Sequence, residues 1–263
     1  MASVEILRAR APSESGESML AAIAMAARSA GDNVKETRDF QGKSDWLVLY
    51  GVGAAVNDAA RKAQIARGGR VLMWDLGYWD RKKVVGHLRM SIDTDHPQQW
   101  LDKTPADNSR WRRFGIELRE DSNEAGPILL IGIGRKSRVY LKTENWERAA
   151  YENLVRRFPG RRIVFRPKGR DEKRLPCEMD GITPIEDLLR GASLVVCRHS
   201  NVAVDAAIAG VPFECENGAA MWLQQREFTR VNRLKFLQRL AFWQWRATEA
   251  TQAWAFAKQV IKA

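Results

Sequence analysis

The chain is poor in the residues that build metal centres and disulfide frameworks. It holds three cysteines, Cys177, Cys197 and Cys215, and three histidines, His87, His96 and His199. The cysteines show no metal-ligand spacing, and an odd count argues against a disulfide framework. Cys197 and Cys215 sit in apolar runs and read as small buried hydrophobes. The histidines are too scattered for a zinc site. Also missing is any apolar run near the roughly 20 residues that a membrane helix needs. The opening MASVEILRARAPSESGES lacks the apolar core of a secretory signal. A soluble, cytoplasmic protein with no membrane span and no resident cofactor is therefore expected.

Positive charge, by contrast, is abundant. Lys and Arg number 43 against 32 Asp and Glu, giving a net charge of +11. Such an excess favours polyanions: nucleic acid, nucleotides or an anionic surface. With 263 residues, 45% of them hydrophobic, the chain can build one large domain or two small ones.

Apolar runs alternate with helical patterns twice. In the first half, SVEILR (3–8), DWLVLY (45–50), RVLMWD (70–75) and HLRMSI (87–92) read as strands. A helix is expected over 17–29, capped by Ser15 or Ser18, and a second over AARKAQIAR, stopped at Gly68-Gly69. The stretch 97–126 is irregular, and REDSNEAG (119–126) is the expected linker. The pattern then restarts. PILLIGI (127–133), RRIVFRPK (161–168), SLVVCR (193–198) and VPFECE (211–216) read as strands. TENWERAAYENLVRRF (143–158), capped at Thr143, PIEDLLRGA (184–192) and SNVAVDAAIAG (200–210) read as helices. Residues 219–263 look helical throughout. This spells an α/β chain of two doubly wound, Rossmann-like units: 1–118, 127–218, and C-terminal basic, Trp-rich helices over 219–263.

Ligands of such sheets bind beyond the carboxyl ends of the strands, so the polar residues at those ends are the candidates. CRHSN places His199, Ser200 and Asn201 where a strand turns into a helix. Free N–H groups and short polar side chains there suit an anion; the plainer alternative is a helix cap. GIGRKS (132–137) sets Gly134 before Arg135, Lys136 and Ser137. It is neither a Gly-x4-Gly-Lys-Ser/Thr loop nor a complete Gly-x-Gly-x-x-Gly, yet glycine lets a phosphate approach the backbone. FRPKGR offers Arg166 and Lys168, two cations with the spacing of a diphosphate. In ECENG, Glu214 or Glu216 suits a ribose diol. In the first half, WDLGYWDR presents Asp75 and Asp80 as candidate bases, with Tyr78 and Arg81 beside them for an acceptor. Asp93-Thr94-Asp95 has the form of a weak metal pair, better read as chance. Arg226, Arg230, Arg233, Lys235, Arg239 and Arg246 make the C-terminal stretch either a packed helix with a basic face or a phosphate-backbone surface.

The second half, strand–GIGRKS–helix–strand–RPK–helix–VVCRHSNVAVDAAIAGVPFECENG, resembles the nucleotide-sugar half of a GT-B-type glycosyltransferase. The likeness rests on 127–218, including the AAIAGVP helix-to-strand step (206–212), and reaches the first half by architecture only. It implies a nucleotide-sugar co-substrate and metal-independent transfer. The basic residues and the Ser/Asn helix start would hold the diphosphate, a late carboxylate would hold the ribose, and the terminal helices would cross back to the first domain. Nucleotide-sugar epimerases and hydrolases share that fold. A looser likeness to small proteins of tailed phages implies a DNA acceptor with hydroxymethylated bases, in a host cytoplasm. The alternative that owes nothing to catalysis is a basic nucleic-acid-binding accessory protein.

Overall fold

The computed structural model describes residues 1–8, 13–51, 55–80, 86–141, 143, 145–169 and 174–262. The chain forms two compact units, Met1–Pro105 with Leu240–Ala263, and Ala106–Arg239.

The first unit opens with β1 (Ser3–Leu7), α1 (Glu14–Ser29), β2 (Asn33–Thr37), β3 (Trp46–Tyr50), α2 (Ala55–Ala66), β4 (Arg70–Leu76) and β5 (Leu88–Ile92). β2, β1, β3 and β4 run parallel, and β5 is antiparallel to β4. Strands covered on both faces read as unbroken apolar runs, and β3 is buried from Trp46 to Leu49. Helix α1 is capped by Ser13, whose hydroxyl accepts from Gly16 N at 3.2 Å, rather than by Ser15 or Ser18. The extra turn this adds brings the acids Glu14 and Glu17 to the helix start, where the dipole favours them.

The second unit holds α3 (Asn108–Trp111), β6 (Ile128–Ile131), α4 (Arg135–Leu141), α5 (Trp146–Arg157), β7 (Ile163–Arg166), β8 (Glu178–Met179), α6 (Ile185–Leu189), β9 (Leu194–Cys197), α7 (Val202–Ala209), β10 (Phe213–Cys215), α8 (Met221–Gln224) and α9 (Arg230–Ala241). Its strands lie in the order β10-β9-β6-β7-β8, all parallel. The expected linker is part of this unit. Arg119 N donates to Ile208 O, Asp121 N to Ala209 O and Asn123 N to Ala192 O. Gly210 explains the glycine of the AAIAGVP step: it ends α7 at φ +78°, and a Cβ there would lie 2.4 Å from Arg119 O. Helix α5 begins at Asn145, which makes no side-chain cap bond, and Thr143 does not cap it.

Residues 219–263 are not one helical run. After α9, β11 (Gln244–Trp245) pairs antiparallel with β5, so the first sheet reads β11-β5-β4-β3-β1-β2. Helix α10 (Ala250–Val260) then packs on α1. Its anchor is Asp32, which accepts from Trp254 Nε1 and Lys258 Nζ, both at 2.8 Å, and from Ala2 N at 2.9 Å. Both units are thus α/β with largely parallel sheets, as the alternation of patterns requires. Among the described residues no helix is long and apolar enough to cross a membrane.

Candidate functional site

In the second unit every strand carries its carboxyl end to the same sheet edge. From β6 the chain moves to β7 on one side, and from β9 to β10 on the other. The direction therefore reverses between β6 and β9, and the crevice outside their carboxyl ends is where open parallel sheets bind ligands.

Beyond β6 the chain passes Gly132-Ile133-Gly134 and enters α4 directly, so Arg135, Lys136 and Ser137 form a first helical turn rather than a loose loop. A Cβ at Gly132 would lie 3.2 Å from Phe165 Cζ and 3.3 Å from Arg166 O, a tight fit that a side chain could take only if these neighbours shifted by a few tenths of an ångström. The turn is held by a residue that sequence reasoning missed. Glu147, buried on α5, accepts from Ile133 N at 3.0 Å and from Arg138 Nη2 at 3.0 Å. In an amphipathic helix rich in charge, its acid looks like one more solvated side chain.

Lys168 follows β7, and its stem lies against Gly134, 3.9 Å from where a Cβ would be. Burial pushes the Cys197 thiol up to about 11, and the Lys168 charge acts in the opposite direction. Lys168 therefore stands at the carboxyl edge, against the turn that follows β6. Arg166 does not join it as a diphosphate clamp. Its guanidinium donates to the carbonyls of Thr183 and Asp180 and fixes the loop after β8.

At the end of β9, Ser200 Oγ accepts from Val202 N at 3.3 Å, so this hydroxyl caps α7. Asn201 occupies the N-cap position without a side-chain cap bond, and His199 precedes it in the same turn. Arg198 O accepts from Glu216 N at 3.0 Å and Asn217 N at 2.7 Å, which stitches the ends of β9 and β10 together.

Beside this edge is a cavity of about 440 Å³ between α5 and the strand pair β9–β10. Trp146, Ala150, Leu154 and Arg157 give one wall; Val196 and Cys215 belong to the other. Both ends are bridged. Trp146 Nε1 donates to Glu216 Oε1, and Arg157 pairs with Glu214 through contacts of 2.8 and 2.5 Å. Glu216 Oε2 accepts from Arg198 Nε at 3.2 Å. The two carboxylates singled out in the sequence thus line one cavity, each already engaged.

The first-unit candidates are placed differently. Tyr78 is fully buried; its hydroxyl lies 3.0 Å from His96 Nδ1, the Arg89 guanidinium is 5.7 Å from its ring centre, and burial pushes its phenol well up. No face of it is open to an acceptor, which corrects the expectation that Tyr78 stands ready beside the candidate bases. Asp75 accepts from Arg89 Nη2 at 3.1 Å. Asp80, at φ +55°, lies 3.2 Å from His87 Nδ1 and 3.6 Å from Arg246 Nη2. Arg81 lies outside the described residues. Asp93 is turned to Val71 N at 2.9 Å and Arg70 Nη1 at 2.7 Å, and Asp95 faces Arg61 at 3.6 Å. Both acids of Asp93-Thr94-Asp95 thus serve local ion pairs, and among the described residues no cluster of three His, Cys, Asp or Glu could hold a metal.

Of the C-terminal arginines one is internal, Arg226 and Arg239 are half-buried, and Arg230 and Arg246 are exposed. Arg233 is buried on α9, donating to Ala207 O at 3.1 Å, Arg119 O at 3.0 Å and the Glu120 carboxylate. Arg230 also reaches Glu120, at 2.9 Å. The guanidiniums of Arg226 and Arg239 lie 3.7 and 5.0 Å from the ring centre of Trp222. The packed-helix reading of this stretch fits better than a phosphate-backbone surface.

No protein-family model matches the sequence, and comparison with curated proteins finds no match. Solved structures do match. A β-Kdo 2,4 transferase of Thermosulfurimonas dismutans KpsC shares 13% identity with a TM-score of 0.53, covering 89% of each chain. A β-Kdo 2,7 transferase of the same KpsC shares 13% identity with a TM-score of 0.51, covering 97% of this chain and 99% of that one. At such identity the likeness is one of fold, and in fold this chain is GT-B-like.

Proposed function

We propose that the protein is a glycosyltransferase that moves a sugar from a nucleotide-diphosphate donor to a hydroxyl acceptor, with the donor on the second unit. The observation that carries this reading is the cavity beside the carboxyl edge of the parallel sheet, with Glu214 and Glu216 in its walls. A carboxylate at such a site accepts hydrogen bonds from both ribose hydroxyls. The Gly132–Gly134 turn, Arg135, Lys136 and Ser137 on the first turn of α4, Lys168, and the His199–Asn201 turn line the ends of neighbouring strands. They supply donors for charge that develops on a departing diphosphate. The neighbours of similar fold are transferases by description, and that class is adopted here.

The first unit takes the acceptor side. Of its two candidate bases, Asp80 has the more useful partner. Burial holds the His87 imidazole below its ordinary value despite the Asp80 hydrogen bond, so His87 is neutral near pH 7 and able to accept a proton. Asp75 is tied to Arg89. A DNA acceptor rests on net charge alone, and of the α9 arginines Arg233 is spent on packing.

Product analysis tests the reading. The protein is incubated with UDP-, GDP-, ADP- and CDP-sugars, with and without sugar and hydroxymethylated-DNA acceptors. Transfer predicts free nucleotide together with a product heavier by one sugar. An isomerised nucleotide-sugar would indicate an epimerase, and free sugar without acceptor a hydrolase. Turnover of none would sink the enzymatic reading and leave a binding protein.

A further inference from the structure

The switch point also holds an arginine. Arg198 leads the polar turn after β9, and its side chain is 20% exposed. Its Nε is used by Glu216 Oε2, whereas its Nη1 is buried with no acceptor among the described residues. A buried guanidinium N–H left unpaired is costly and is relieved by an anionic oxygen, which also makes the stronger kind of hydrogen bond. The Glu216 carboxylate in turn has both oxygens occupied, one by Trp146 and one by Arg198. Each oxygen keeps a second lone pair, but a diol that takes both must share or displace the bonds to Trp146 and Arg198. Arg166, another arginine near this edge, donates to the carbonyls of Thr183 and Asp180.

Resting on the donor site proposed above, we infer that Arg198 binds the phosphate next to the nucleoside, and that donor binding opens the Trp146–Glu216–Arg198 bridge. The phosphate takes Arg198, the ribose hydroxyls take Glu216, and Trp146 is left to line the cavity. One carboxylate and one arginine, paired in the free protein, are then re-paired by the two ends of a ribonucleotide. A ligand with only one of those ends breaks the pair without replacing it. Recognition should therefore require ribose and phosphate together.

Calorimetric titration of the full chain tests this. The probes are UDP, CDP, GDP and ADP, their parent nucleosides, and the 2′-deoxy diphosphates. For whichever diphosphate binds, Arg198→Gln should weaken affinity about 10- to 100-fold while nucleoside affinity changes less than about twofold. Arg198→Lys should recover part of the loss, and Glu216→Gln should remove the preference for ribose over deoxyribose. Unchanged urea midpoints show that the variants fold. Equal losses for nucleoside and diphosphate in Arg198→Gln, or no loss at all, overturn the inference and leave the donor site standing. If none of the four diphosphates binds the unaltered protein, the donor site and the inference fall together.

Discussion

The two units treat their polar strand-end residues in opposite ways. In the first, the described residues at and after the end of β4 are engaged within their own unit. Tyr78 is buried beside His96, Asp75 faces Arg89, and Asp80 faces His87. In the second, the residues after β6, β7, β9 and β10 stay at the carboxyl edge, next to a cavity of about 440 Å³. Topology accounts for the difference. β5 is antiparallel to β4 and brings the basic strand residue Arg89 opposite Asp75, so the acid is consumed locally. A wholly parallel sheet has no antiparallel neighbour to pair such an acid strand to strand; its edge acids Glu214 and Glu216 are met instead by Arg157 of α5 and by Arg198 after β9.

The largest expected effect tests whether α9 is structural. Arg233→Ala leaves two carbonyls and part of Glu120 without their buried partner, and should cost about 3 kcal/mol in urea unfolding. A loss under about 1 kcal/mol, with weaker DNA binding, would restore the nucleic-acid role of the helix.

Asp32→Ala should cost about 2–3 kcal/mol, now in the first unit. Burial acts to raise this carboxyl, but hydrogen bonds from Lys258, Ala2 and Trp254 overcome it and hold the group below its ordinary 3.8. Its contribution is therefore full above pH 3.8 and lost as pH falls through the lower folded value. Wild type and variant should converge in stability below that point; a constant gap down to low pH would refute the charge-based account.

Glu147→Gln sharpens the comparison on the other side. It weakens the hold on Ile133 N and Arg138, and should cost about 1–2 kcal/mol and about tenfold in nucleotide affinity. Loss of stability with no change in affinity would separate the Gly132–Gly134 turn from the ligand site.

Tyr78→Phe is the smallest change. It removes one buried hydrogen bond to His96, at about 1 kcal/mol, and should leave nucleotide binding intact. A change in acceptor affinity greater than about threefold would return Tyr78 to the site.

Elements with a strong apolar signature were readable in advance. β3, β6 and β9 are near-continuous runs of buried residues. β2 was missed because NVKET is polar on both faces, as an edge strand can be. The return of the chain through β11 was missed because Gln244-Trp245 is too short to show a period. At the site, Gly134, Lys168, Glu214 and Glu216 stand near the expected edge because strand ends and glycines mark the sequence. Arg166 and Tyr78 carry the right chemistry but point elsewhere, and only the side-chain direction decides that. Glu147 had no sequence signal distinct from ordinary surface charge, whereas Arg198 stands inside the CRHSN stretch, where only His199, Ser200 and Asn201 were given a role.

The most direct test of the central claim is hydrogen exchange with and without whichever of UDP, CDP, GDP and ADP binds. The donor site on the second unit predicts slowed exchange over 131–138, 197–203 and 214–218, and unchanged exchange over 74–80. Protection confined to the first unit, or none at saturating nucleotide, would contradict it.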